Sequence, residues 1–239
     1  MQRHQPLQLL LAAVALLLAS STALADKQPA TKAARKPHVL ILGDSISIGY
    51  TQTVREMLGS EAVVIRPTRK NKRPENCQGT NYGVAQVDRW LKLGDGRWEV
   101  IHFNFGLHDL KRVDPKTGRN SNDRGHPHQA SPERYEKQLR AIVGKLKKTK
   151  AKLIFATTTP VPSGGVRPYR DVEDPARFNA IAVKIMKESG VAVDDLYAAA
   201  EPRLKNIQRP VNVHFTPEGS RFLAKQVTTH IRRALKPAE

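Results

Sequence analysis

Residues 38–50, His-Val-Leu-Ile-Leu-Gly-Asp-Ser-Ile-Ser-Ile-Gly-Tyr, place the tightest constraint on how this chain folds. Four consecutive apolar residues, 39–42, read as a short strand buried on both faces, the pattern of a parallel sheet. The run stops at Gly43, and Gly43-Asp44-Ser45 turns it into a helical stretch over 46–58. A buried parallel strand followed at once by a helix commits the neighbourhood to βαβ connections. Ser45 then lies at the carboxyl end of a strand and the amino end of a helix, where unpaired N–H groups meet the positive end of the helix dipole. A serine so placed is open to substrate, and its own N–H can help hold a developing oxyanion. The same Asp-Ser pair also suits an ordinary helix N-cap.

The rest of the chain continues the alternation. Strand-like runs fall at 62–66, 98–105, 152–158 and 191–193, and helical patterns at 81–92, 132–148, 176–189 and 217–234. Ser131-Pro132-Glu133 and Thr216-Pro217-Glu218 are N-cap signals with proline in the first turn. Two long polar segments, 111–131 and 160–175, exceed plain connections and mark functional or mobile loops. With 239 residues and 39% apolar residues, the expected fold is one α/β domain over 37–236. Its architecture is a right-handed, mostly parallel, three-layer α/β/α sandwich.

The ends and the charge narrow the setting. Arg3, an apolar run over 7–18 and Ala23-Leu24-Ala25 make residues 1–25 a secretory signal peptide, leaving 26–36 as a flexible basic lead-in. No later stretch is long and apolar enough to span a bilayer, so the mature protein is expected to be secreted or periplasmic. Cys77 is the only cysteine, so the fold relies on its core; without a local partner it reads as a buried filler rather than a nucleophile. The formal net charge of +18 suits acidic partners, but the basic residues are spread along the chain and read first as a solvated surface. With 5% aromatics and no nucleic-acid motif, nucleic acid is not the expected partner.

In open parallel sheets, sites form at the carboxyl ends of the strands. Four segments reach that edge with reactive residues: Asp44-Ser45, residues 78–81 with Gly79, residues 104–109, and Asn212-Val213-His214-Phe215-Thr216. A serine, a glycine, an Asn/His group and a histidine are the components of acyl transfer.

These blocks resemble the SGNH (GDSL-type) hydrolase superfamily over about residues 37–235, with its flavodoxin-like sandwich. Gly43-Asp44-Ser45 looks like the first block, and the resemblance implies Ser45 as nucleophile and His214, in Val-His-Phe-Thr-Pro-Glu-Gly, as base. It implies Gly79 as a second oxyanion donor beside the Ser45 N–H. Gly106-Leu107-His108-Asp109 is similar to the third block, with His108 where the family has an asparagine; Asn104 is the alternative donor. The family's acid lies three residues before the histidine, where this chain has Val211. Asn212, a backbone carbonyl, or a distant Asp194 or Asp195 is left to orient the imidazole. Asp44 and Asp109 are expected to support the site, Asp109 by accepting bonds from neighbouring loop N–H groups and fixing the Ser45 turn.

No cofactor is implied. The loop histidines His126 and His128, which share their loop with Asp114 and Asp123, read as solvated or lightly packed, and His102 and His108 straddle a strand end without the close ligand set of a zinc site. The expected activity is hydrolysis of an O-acyl ester, acetate first, on a small-molecule or polysaccharide carbohydrate. Arg167, Tyr169 and Arg170 are placed either to contact a sugar or to pack their loop. The alternative is a protein of this fold that lost turnover and binds carbohydrate or polyanion.

Overall fold

The computed structural model describes residues 35–237. The expected signal peptide and nearly all of the basic lead-in lie outside the described residues. Five strands, β1 (His38–Leu42), β2 (Val63–Ile65), β3 (Val100–Phe103), β4 (Lys152–Ala156) and β5 (Ala192–Asp194), pair in the order β2-β1-β3-β4-β5. Every pairing is parallel, with Val39 opposite Val100 and Ile101 opposite Leu153. The central strands β1 and β3 are apolar runs with almost every residue buried, because helices cover both faces.

The helices among the described residues are α1 (Ser45–Leu58), α2 (Thr80–Leu91), α3 (Pro132–Lys147), α4 (Asp174–Ser189), α5 (Leu196–Ala200), α6 (Leu204–Ile207) and α7 (Pro217–Leu235), with a 3-10 turn at Glu201–Arg203. α1 packs on α7, while α2, α3 and α4 pack in series. The direction of winding reverses between β1 and β3, so right-handed crossovers put α1 on one face and α2 to α4 on the other. The crevice at the carboxyl ends of β1 and β3 is therefore the topological switch point of the sheet. Caps fall where the sequence places them: Ser131 Oγ accepts from Arg134 N–H and Thr216 Oγ1 from Gly219 N–H.

The sheet is wholly parallel, and the short helices α5 and α6 occupy a stretch with too few residues for a legible helical period. Residues 111–131 are ordered rather than open: Arg112 bridges His128 and Val113 bridges Asn120. The second loop seals them, with Tyr169 N–H donating to Ser121 O and Arg112 N–H to Tyr169 O, each at 2.9 Å. Among the described residues, no helix is long and apolar enough to cross a membrane.

Gly83 shows how tightly α2 meets its neighbours. A Cβ there would stand 2.7 Å from Ile142 Cδ1 and 2.8 Å from Phe105 Cε1, and the Phe105 ring is fully buried and stacked on Trp90. Alanine gains roughly 0.8–1.0 kcal/mol in helix propensity, but overpacking costs roughly 1–3 kcal/mol. Gly83→Ala is expected to lower the urea midpoint by a net loss of about 1 kcal/mol with the slope unchanged; a raised midpoint would show that α2 and α3 are free to part.

Candidate active site

Ser45 is the first residue of α1, directly beyond β1. Asp44 caps the helix: its backbone is extended and its Oδ1 accepts from Ile46 N–H at 2.9 Å, while Ser47 Oγ donates to Asp44 O at 2.7 Å. Burial pushes the Asp44 carboxyl above its ordinary value, against the pull of the Ile46 N–H and the Arg170 charge. The turn is held from the β2 side by Arg66, only 3% exposed. Its Nη1 donates to Ser47 Oγ (3.1 Å) and Thr51 Oγ1 (2.8 Å), and its Nη2 to Gly43 O (3.2 Å) and Glu75 O (2.9 Å). Sequence reading passes over Arg66, because a basic residue at a strand end looks like solvated charge until the neighbouring acceptors are known.

His214 meets this turn from the other end of the chain. Its Nε2 lies 2.9 Å from Ser45 Oγ. Residues 208–215 form a closed turn, bridged by Gln208 and Phe215, with Arg209 N–H donating to His214 O at 2.9 Å. The turn docks on α7 through Gly219, where a Cβ would stand 2.1 Å from Ile207 O.

Asn212 supplies what Val211 does not. Its Oδ1 accepts from the His214 backbone N–H at 2.9 Å and lies 2.8 Å from His214 Nδ1. The backbone N–H can only donate, so the amide must present oxygen, not NH2, to the ring. Nδ1 then carries the proton and the Nε2 lone pair faces Ser45. An asparagine at this place fails when it forces the wrong tautomer; here the backbone prevents that. The amide brings no negative charge, and burial, with Arg209 and Arg170 nearby, holds His214 below its ordinary 6.5 although Asp44 pulls the other way. Asp194 and Asp195 do not orient the ring. Asp194 receives buried His102 Nε2 (3.0 Å) and Gln226 Nε2 (2.8 Å), and Asp195 caps α5.

Gly79 caps α2, so its N–H and that of Ser45 both belong to helix starts. A Cβ on Gly79 would meet Asp109 Oδ1 at 2.8 Å and Gln129 Nε2 at 2.7 Å, so only glycine admits this approach. Asp109 Oδ1 accepts from Thr80 N–H (2.8 Å) and Thr80 Oγ1 (2.6 Å). The expected support of the Ser45 turn by Asp109 is thus corrected: Asp109 fixes the Gly79 turn, and Arg66 fixes that of Ser45. Burial raises the Asp109 carboxyl to about 7.

His108 is largely enclosed, with Nδ1 buried and unpartnered. Burial, with Lys111 and Arg170, drives its pKa down to about 3, so it stays a neutral ring with one N–H to give. Asn104 Nδ2 donates to Ala156 O at 2.7 Å, tying β3 to β4, and the residue lines a small interior cavity together with Asp44 and Ile46.

Of the second-loop residues, Arg170 and Tyr169 pack their loop. Buried Arg170 donates from Nε to Leu107 O at 2.8 Å and sets a positive charge near Asp44, His108 and His214. Cys77 is a buried filler whose thiol burial raises to about 12. Among the described residues, His128, Asp171 and Asp174 bring ligand atoms close enough for a metal, but Arg112 already lies on both carboxylates and His128 Nε2 on Asp174 Oδ2. His126 Nδ1 bonds Ser121 Oγ at 2.8 Å.

No curated protein matches the chain in sequence. Among solved structures, a lipase/acylhydrolase from Enterococcus faecalis superposes with a TM-score of 0.65 at 19% identity, covering 85% of this chain and 99% of that one. The acetyl xylan esterase AlAXEase gives 0.60 at 17%, covering 81% and 99%. The acetylxylan esterase Axe2 from Geobacillus stearothermophilus gives 0.59 at 15%, covering 84% and 95%. At such identities the likeness shows the fold. The family described as GDSL-like lipase/acylhydrolase matches residues 41–222, a span that runs from β1 through the His214 turn into α7. The chain belongs to the GDSL-like lipase/acylhydrolase family, a family of serine ester hydrolases.

Proposed function

We propose that this chain is an exported serine esterase, periplasmic or released, that removes O-acyl groups, acetyl first, from a carbohydrate. The observation that carries it is the relay from Asn212 through His214 to Ser45, with Nε2 at 2.9 Å from Oγ and Nδ1 at 2.8 Å from the amide oxygen. Ser45 Oγ attacks the ester carbonyl while its proton passes to His214 Nε2. The carbonyl oxygen becomes an oxyanion facing the N–H groups of Ser45 and Gly79 and the ring N–H of neutral His108. Collapse expels the alcohol, which takes the proton from His214 and leaves an acyl group on Ser45. Water, deprotonated by the same nitrogen, then releases the carboxylic acid and restores the serine. The carbohydrate assignment draws on the signal-like leader, the positive charge of +18, and structural neighbours that are themselves described as acetyl xylan esterases.

Ser45→Ala is expected to reduce hydrolysis of p-nitrophenyl acetate to the buffer rate, and His214→Ala to cost at least about a hundredfold. Equal rates for wild type and Ser45→Ala would favour the alternative of a non-catalytic binding protein. Asn212→Leu removes the tautomer lock and is expected to lower kcat by at least about tenfold, the scale of one hydrogen bond to a charged group.

The pH profile follows from the same bonds. The base works as neutral imidazole, so kcat/KM rises with pH through the His214 pKa, and its acid limb is expected below 6.5. Asn212→Asp places a carboxylate beside Nδ1, favours imidazolium, and is expected to move that limb to higher pH. An unmoved limb in Asn212→Asp would dissociate position 212 from the base. His108, neutral down to about 3, is expected to add no second limb.

A further inference from the structure

The recess holding Ser45 and His214, about 310 Å³, shares one wall with a larger groove of about 840 Å³, and that wall is Arg209. Together they are of a size to take a small ligand with room for neighbouring units. The groove lies between residues 161–163 and residues 201–211 and also receives Arg203 and Lys205. Among the described residues, the ion pairs formed by Lys and Arg involve none of these three cations. The groove's one acid, Glu201, is engaged as acceptor by Tyr197 Oη at 3.0 Å.

Arg209 is held in place and still open. Its backbone N–H donates to His214 O and its Nε to Phe215 O at 3.2 Å, which anchors the guanidinium to the His214 turn. Among the described residues neither terminal nitrogen has a hydrogen-bond partner, so the fork is open to a planar, two-oxygen anion. Arg203 lies over the Phe222 ring with its Cζ 5.3 Å from the centroid. The base itself is backed by a neutral amide, so no carboxylate of a triad stands between this groove and the serine to repel an anion.

The geometry points to a fixed negative charge on the alcohol portion of the substrate: a carboxylate carried by the sugar that bears the acyl group, received by Arg209 and extended along the groove by Arg203 and Lys205. The charge belongs to the alcohol side because a short acyl group such as acetate carries none. This inference rests on the esterase reading and names the substrate class of that same site.

Two measurements test it. In the first, kcat/KM is compared for 4-acetoxybenzoate and its uncharged methyl ester. Arg209→Gln is expected to lose at least about tenfold more on the carboxylate than on the methyl ester, mainly through KM, with Arg209→Lys recovering part of the difference. Added salt is expected to erode the wild-type rate on the carboxylate alone. Equal losses on both esters overturn the proposal. In the second, Ser45→Ala protein is titrated with trigalacturonate and with its methyl ester. Binding of the acid only, weakened by Arg203→Gln with Lys205→Gln, supports the groove as the anion site; no binding of the acid, or equal binding of both, overturns it. A wild type that hydrolyses no ester while the Ser45→Ala protein selects the acid would defeat the esterase reading and leave the anion site standing.

Discussion

A buried guanidinium without a carboxylate partner holds the centre of this molecule together. Arg66 leaves β2, the edge strand, and spreads its charge over two carbonyls and two hydroxyls around the Gly43–Ser47 turn. A cation removed from water is costly unless its donors find oxygens; four of the five N–H groups do, and the buried Nε–H is left without a partner. The gain is positional: one rigid planar group ties the exit of β1, the first turn of α1 and the segment bearing Glu75 into a single unit. Gly43 O is gripped twice, since Cys77 N–H also donates to it at 3.1 Å. The serine that follows therefore stands on a turn with little freedom to drift, a requirement for any nucleophile whose reach is set to tenths of an ångström.

Around that turn the protein concentrates positive potential. Arg170, Arg209 and Lys111 act on the site's ring groups, and α1 and α2 both start there. The consequence for the two histidines is the same in sign and different in use. His108 is enclosed enough to be neutral throughout the working range, as a dipolar donor should be. His214, only partly buried, is lowered by that burial and by Arg209 and Arg170, while Asp44 pulls it back up, and its ring faces the serine as the base. One field thus sorts two identical side chains into an electrostatic prop and a base.

What the sequence makes legible is what short-range chemistry encodes. The β1–α1 turn, the caps at Ser131 and Thr216, and the alternation of elements depend on neighbours a few residues apart, and they stand where the pattern puts them. Ser45 and His214 were readable because each sits at a strand or turn edge with its own local signature. Partners chosen across the fold were not readable. Nothing local distinguishes Arg66 and Arg170 from surface cations. Asp109 and Asp194 both look available, until Thr80 takes one and His102 the other. The role of Asn212 turns on a backbone N–H that fixes which end of an amide faces the ring, a detail no residue type announces.

Val211 carries a further consequence. It has a left-handed backbone, φ 49°, which is costly for a β-branched residue, and it is 51% exposed. Its side chain leans toward Gly164, where a Cβ would come within 3.0 Å of Cγ2, and it borders the basic groove. A carboxylate grafted onto this backbone would start from the wall of that groove, on the side facing Gly164. The position three residues before the histidine thus faces a groove in this turn, whereas the next residue already sets its side-chain oxygen 2.8 Å from Nδ1, so a charge reaches the base through position 212 without rebuilding the loop.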